Sequence, residues 1–366
     1  MKILLVNDHY SFGGAENYVQ NLKDELKKDH EVKILTLDGS DDSDYSIEES
    51  SNPILKLRNR YFSNRKIKRE VKEVVEEFNP DVVHLNKNIV APVAVLKGLR
   101  EENVVKTVHD FGFVSLKDKY AYEMNDWERK LRKTLDTGTQ NYLDKLRSDV
   151  IDRYTAPSTS LTEELEENNY KPTTHLSNFV TDREPSFDAE HFLFVGRLED
   201  GKAPDLLLDA YRQTSQEENG LPPLEIAGKG KMKEELEEKS SDLEKVTVHG
   251  YVSQEKLEEL YKDSKAVVIP SRWKENNPLV ALESKAYGSA LIVSDRGGLP
   301  ELVEEGETGF IFESENTEEL SKKLAQDVNW EKLGENSRKD YEENYRPEVH
   351  LEKLLEIYTR TEENSK

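Results

Sequence analysis

The chain has 366 residues, no cysteine, 52 lysines and arginines against 75 aspartates and glutamates, and a formal charge of −23. That length exceeds what one hydrophobic core supports and predicts two domains, while the acidic surplus excludes a general nucleic-acid binder, which needs excess Lys and Arg to neutralise phosphates. Without cysteine there are no disulfides or thiolate metal sites, which fits a reducing cytoplasm, and no run reaches the eighteen apolar residues of a membrane span.

The apolar start Ile3-Leu4-Leu5-Val6 is too short for a signal peptide and reads as a strand. Helical and strand-like runs then alternate. Residues 2–6 are a strand, Tyr18, Val19, Leu22 and Leu26 lie on a helix, and 32–37 is a strand. Ile67, Val71, Val74, Val75 and Phe78 lie on a second helix, followed by a strand at 82–85. Strands at 104–108 and 150–156 follow, separated by a charged helical stretch around Trp127, Leu131, Leu135, Leu143 and Leu146. The acidic segment 38–51 reads as a mobile loop.

After the polar segment Thr181-Asp182-Arg183-Glu184-Pro185-Ser186 the alternation restarts, with strands at 191–195, 224–227, 246–248, 266–269, 291–294 and 310–312. The expected architecture is α/β: two Rossmann-like, doubly wound parallel-sheet domains, at 1–185 and 186–345, facing across a cleft. The remainder, 346–366, carries a terminal helix with the option of packing back on the first domain. Charge is uneven, with about 28 basic against 34 acidic side chains in residues 1–185 and about 24 against 41 in residues 186–366. Lys56, Arg58, Arg60, Arg65, Lys66, Lys68, Arg69 and Lys72 form a basic block, and Arg129, Lys130, Arg132 and Lys133 a second group. Each reads either as a solvated face or as a surface attracted to an anionic membrane.

Ligands in such folds bind beyond the carboxyl ends of the strands, so motifs there carry the functional reading. The strongest runs from Pro270 to Glu283. Asn277 is a favoured N-cap and Pro278 a favoured first helical residue, predicting a helix whose free N–H groups suit a pyrophosphate. Glu283 falls on the apolar face of that helix, where a carboxylate needs hydrogen-bond donors such as a ribose diol; Glu275 precedes the helix and would face a sugar. Arg197 and Lys202 suit a role as pyrophosphate clamps. Gly13 and Gly14, before a helix starting near Ala15, allow close approach of a phosphate. His109 and His84 both sit at strand ends, and Gly228-Lys229-Gly230 is either a nucleotide-proximal loop or a plain turn.

Pro-Ser-Arg-Trp-x-Glu-x-x-Pro-Leu-Val-x-x-Glu resembles the Glu-x7-Glu motif of the retaining glycosyltransferases of family 4, also called glycosyl transferases group 1, which have the GT-B fold. The resemblance continues through Asn7-Asp8-His9-Tyr10 with Gly13-Gly14-Ala15-Glu16, Pro80-Asp81-Val82-Val83-His84-Leu85 and Thr107-Val108-His109-Asp110. It also includes Val195-Gly196-Arg197-Leu198 with Lys202, and Gly297-Gly298-Leu299-Pro300-Glu301-Leu302-Val303. It implies an acceptor-side first domain and a second domain that binds a nucleotide-sugar. Glu283 would hold the ribose, Glu275 the donor sugar, and Asn277, Pro278, Leu279 and Val280 the sugar and phosphate. His109 would bond the donor sugar near the reacting carbon, and His84 would line the acceptor side.

The implied reaction is front-face transfer with retention to a glycan or lipid-linked acceptor. It needs no cofactor beyond the donor and no metal, since no Asp-x-Asp stands at a strand end, and it is placed in the cytoplasm, at the inner face of the membrane if the basic block 56–72 binds lipid. The residues leave open a nucleotide-sugar epimerase on the same scaffold and an inactive sugar-nucleotide or glycan binder. Asn277-Pro278 stands where many relatives carry Phe-Gly, Ser284 where many carry Ala, and Ala203 where Gly usually follows the lysine. The donor base and sugar, the acceptor and the oligomeric state therefore stay open.

Overall fold

Ile3, Leu4, Leu5 and Val6 are all buried, the pattern of a strand covered on both faces. In the computed structural model, which describes residues 1–10, 13–114, 126–187, 189–217 and 221–364, they form β1 (Lys2–Asn7). The sheet is completed by β2 (Glu31–Thr36), β3 (Tyr45–Ser46), β4 (Val82–Leu85), β5 (Val104–Thr107), β6 (Arg153–Ala156) and β7 (Thr173–His175). All seven strands are parallel, in the order β3-β2-β1-β4-β5-β6-β7. Helices fill the crossovers. In Arg65–Phe78 the buried residues Ile67, Val71, Val75 and Phe78 mark one face; the Asn64 side chain accepts from the Lys66 and Ile67 backbones, and Asn79 ends the helix at φ 50°.

Two expectations change here. The segment 38–51 is not a free loop: it supplies β3, and Asp44 pairs with the buried Lys23 at 2.7 Å while accepting from Ile34 N. Val150 ends the helix Asp126–Val150 rather than starting a strand, so β6 begins at Arg153. The side chains of Trp127, Leu131, Arg129, Lys130, Arg132 and Lys133 lie outside the described residues.

Contacts divide the chain into two units, Met1–Ser177 with His350–Lys366, and Asn178–Val349. The terminal helix Pro347–Asn364 thus contributes most of its length to the first unit. Its Tyr358 hydroxyl lies 2.6 Å from His84 Nδ1, and His84 Nε2 lies 2.7 Å from Thr107 Oγ1. His350 Nδ1 donates to Ser177 O at 2.7 Å, which leaves Nε2 to accept from the buried Tyr18 hydroxyl at 3.0 Å. Burial holds His84 well below its ordinary pKa and pushes His350 down to about 4, so both rings are neutral at pH 7.

The second unit holds β8 (His191–Val195), β9 (Leu224–Ala227), β10 (Val246–Gly250), β11 (Ser264–Ile269), β12 (Ala290–Ser294) and β13 (Gly309–Phe312), parallel in the order β10-β9-β8-β11-β12-β13. Alternate residues feed two cores, Phe192, Phe194 and Ile292 on one face, Leu193, Leu291 and Val293 on the other. Strand order reverses between β1 and β4 in the first sheet and between β8 and β11 in the second, the position where such sheets open a crevice for ligands. Tyr358→Phe should leave a buried His84 nitrogen unpaired and lower stability by about 1–3 kcal/mol in urea unfolding. An unchanged midpoint would show that this helix contributes nothing through its tyrosine.

Candidate functional site

The loops that leave β8 and β11 meet because the strands are neighbours, and Glu275 lies at their junction. Its Oε1 accepts from Lys202 Nζ at 2.5 Å, from Ser271 Oγ at 2.7 Å and from Trp273 Nε1 at 2.7 Å. Its backbone oxygen accepts from Gly298 N at 2.8 Å, so the Gly297-Gly298 turn buttresses the loop from β12. Burial alone would raise this carboxyl, but the Lys202 charge and the three hydrogen bonds outweigh it and hold the group below the usual range. Glu275 is an anion, and Oε2 has no hydrogen bond among the described residues.

Trp273 extends the cluster as an aromatic shelf. The Arg197 guanidinium lies 5.2 Å and the Lys202 ammonium 5.6 Å from its ring centre, and Arg197, half exposed, also pairs with Glu199 at 2.8 Å. Under the ring is Gly201, where a Cβ would lie 2.0 Å from Trp273 Cε3. Arg272 points elsewhere, forking onto Asp205 at 2.9 and 2.7 Å. Ala203 adopts φ 53°, a left-handed conformation that glycine enters more readily. Gly228 and Gly230 allow close packing, since a Cβ on either would strike the backbone at Gly196 O or Leu198 O.

The expected helix runs Leu279–Tyr287, one residue later than foreseen. Asn277 does not cap it: its Oδ1 accepts from Asn178 N at 3.0 Å and its backbone oxygen from Asn178 Nδ2 at 2.7 Å, so Pro278 takes the cap position. Among the described residues no side chain caps this end. Pro278, Leu279 and Val280 are partly exposed there, and the first N–H groups of the helix have no side-chain acceptor. One turn on, Glu283 is partly buried and its Oε2 accepts from Tyr261 OH at 2.9 Å, with Tyr261 stacked on Tyr287. Burial raises the Glu283 carboxyl against the opposing pull of Tyr261 and Arg183. Oε1 has no hydrogen-bond partner among the described residues.

In the first unit, the helix Gly14–Leu26 starts after an extended Gly13 with no side-chain cap, and a Cβ at Gly14 would meet nothing within 4 Å. Partly buried His109 follows β5, and its Nε2 lies 3.0 Å from Asn86 Oδ1, an acceptor, so Nε2 carries the proton. Burial and then the charges of Lys106 and Lys87 push His109 down to about 3. Lys106, itself lowered by burial to about 7, donates to Asn86 O at 2.6 Å. His84, expected on the acceptor side, is wholly buried between Tyr358 and Thr107. Among the described residues no three His, Asp or Glu side chains converge on a cation position.

The whole fold is similar to sucrose-phosphate synthase from Thermosynechococcus elongatus (TM-score 0.75, 20% identity, 98% of each chain) and to Anabaena HepE in complex with UDP-glucose (TM-score 0.73, 16% identity, 98% and 100%). Residues 12–183 match the glycosyltransferase family 4 domain and residues 182–346 the glycosyl transferases group 1 domain. The chain belongs to the GT-B glycosyltransferases. The GT-B chain is 32% identical over 181 residues to spore coat protein SA of Bacillus subtilis and 33% identical over 135 residues to a D-inositol 3-phosphate glycosyltransferase of Rhodococcus erythropolis. The matched stretch covers 46% and 34% of this chain, and 48% and 30% of those relatives, less than half of either.

Motif reading singled out Glu275, Lys202 and Arg197, which the structure brings together around Trp273, but missed what fixes them. Trp273 and Ser271 stand inside the motif without revealing that both serve Glu275. Tyr261 gave no signal at all, lying 22 residues before Glu283 on another helix. Gly201→Ala should displace the Trp273 ring and break its bond to Glu275. The expected result is a shifted tryptophan emission and a loss of about 1–3 kcal/mol in stability; wild-type emission and melting would refute the packing described.

Proposed function

We propose that this GT-B glycosyltransferase moves a sugar, with retention of anomeric configuration and without a metal ion, from a nucleotide-diphosphate sugar to a saccharide or lipid-linked saccharide. The observation that carries the reading is the meeting of Lys202, Arg197, Trp273 and Glu275 at the β8–β11 switch point, followed by a helix whose N-terminus no side chain caps. HepE, a neighbour in fold, was captured with UDP-glucose, which supports a nucleotide-sugar as donor class.

Each group has a physical task. The uncapped N–H groups and the two cations suit the diphosphate; Glu283, with one oxygen fixed by Tyr261, offers the other to a ribose diol. Lys202 has three protons and can keep one on Glu275 while turning others to phosphate. Glu275 Oε2 accepts from sugar hydroxyls. His109 of the first unit is neutral, with its Nε2 proton fixed by Asn86. In the transfer itself the anomeric carbon–phosphate oxygen bond breaks, the acceptor oxygen bonds to the same face, and the acceptor proton passes to the departing phosphate. Arg197 and Lys202 stabilise the charge that develops there.

Arg197→Ala should lower kcat by about 10²- to 10³-fold with little change in donor KM, and its exposure predicts an unchanged melting temperature. Lys202→Ala should lower kcat similarly but also destabilise the fold, because it strands a buried carboxylate. Equal losses in kcat and donor affinity would remove the clamp assignment. A second prediction follows from the raised Glu283 carboxyl. Ribose hydroxyls bond the ionised form, so donor affinity should weaken as pH falls from 7 to 5, and Glu283→Gln should flatten that dependence. The reaction type is tested by NMR of the product formed in EDTA: an inverted anomeric carbon, or no turnover once metal is removed, would contradict the proposal.

A further inference from the structure

The amino ends of β8, β11 and β12 lie on the opposite edge of the second sheet from Glu275, and a cavity of about 280 Å³ opens there. One wall is the segment leading into β8. Ser186 N donates to Tyr287 O at 2.9 Å and Glu190 N to Asp263 O at 2.8 Å, which pins that segment at both ends. Phe187 rests on Gly288 so closely that a Cβ there would lie 2.6 Å from its ring. A second wall is Trp330, held edge-on by Phe192 and Phe310 at ring-centre distances of 5.4 and 5.9 Å. The start of β11 contributes Ser264 and Lys265. Ser264 pairs with His191 and Ala266 with Phe192, so Lys265 is the extra residue of a bulge. Among the described residues Lys265 forms no ion pair with a carboxylate, and the hydroxyl of Ser264, 1% exposed, has no hydrogen-bond partner. Asn329 uses its Oδ1 to cap the helix Trp330–Asn344 at Lys332 N, 3.1 Å away, and keeps Nδ2 as a donor.

We infer that this cavity binds a monosaccharide bearing one anionic group, at a site separate from the donor groups. Lys265, Asn329 and Ser264 suit one anion and the hydroxyls beside it, and the Trp330 and Phe187 rings suit the C–H face of a sugar ring. A single lysine matches a single anionic group; a second would be desolvated without a partner. At about 280 Å³ the space falls just below the range of about 300–1,000 Å³ usual for drug-sized ligands, which admits a monosaccharide and excludes a nucleotide-sugar. An empty packing void is apolar, whereas a lysine and an unpaired serine line this one. Gly288 ends the helix Leu279–Tyr287, about 13 Å from the first turn that serves the donor under the proposed function. The inference stands apart from that reading, and binding is measured without turnover.

The test is titration calorimetry of the full chain with glucose 6-phosphate, glucuronate, glucose and inorganic phosphate. Saturable one-to-one binding of at least one of the two anionic sugars is expected, and the tighter of them tells whether the site takes a phosphate or a carboxylate. Glucose and inorganic phosphate, each with only part of the contacts, should bind at least roughly tenfold more weakly. Lys265→Ala should weaken binding of the anionic sugar at least roughly tenfold. Ala189→Phe, which fills the space, should abolish it, and Glu283→Ala, in the donor site, should leave it unchanged. Ser264→Ala removes an unpaired hydroxyl, so the melting temperature should hold or rise while binding falls about fivefold. Failure of both anionic sugars to bind saturably, or inorganic phosphate binding as tightly as they do, would overturn the inference. So would binding that Glu283→Ala removes and Lys265→Ala leaves intact.

Discussion

The second unit is organised around one carboxylate oxygen. Glu275 Oε1 takes a lysine, a serine hydroxyl and an indole N–H at once, and these come from two loops joined only because β8 and β11 are adjacent. A buried ion pair of this kind adds little net stability, since desolvation offsets much of the attraction. What it adds is position. Lys202 is held where it cannot drift into solvent, Trp273 is held flat enough to carry Arg197, and Gly201 is small because the ring occupies the space a side chain would need. The anion fixes the cations that a diphosphate would meet.

A second arrangement repeats the logic with opposite sign. Glu283 has one oxygen fixed by Tyr261 and a carboxyl raised by burial, so its ionised form is short of donors. The helix that carries it begins without a side-chain cap because Asn277, the residue suited to capping, is engaged by Asn178. Under the proposed function, the helix start, which no side chain caps among the described residues, would meet phosphates, and the undersupplied carboxylate one turn further would meet hydroxyls. In the first unit, Asn86 and Lys106 similarly hold His109 neutral in one tautomer.

Much of this was legible in the sequence because parallel α/β sheets put motif and strand end together. Glu275, Lys202 and Arg197 each follow an apolar run, and the repeated alternation gave both sheets. What was not legible depends on distant partners. Asn277 looked like a cap because nothing local announces Asn178, 99 residues away. His84 looked like a strand-end ligand because its partner Tyr358 is 274 residues distant on the terminal helix. The acidic segment 38–51 looked free because pattern alone does not disclose that Asp44 finds Lys23. Short elements such as β7 and the helix Pro92–Gly98 carry too few residues for a period to register.

The central claim is that Glu283 and the cluster around Glu275 form a nucleotide-sugar site. Thermal melting of the wild type and of Glu283→Ala against a panel of nucleotide-sugars addresses it most directly, because a ligand at about a hundred times its Kd adds roughly 2.7 kcal/mol. The account predicts that at least one nucleotide-sugar raises the wild-type melting temperature by about 2–4 °C and leaves the variant nearly unmoved. A panel with no stabilising member, or one that stabilises both proteins equally, would contradict it.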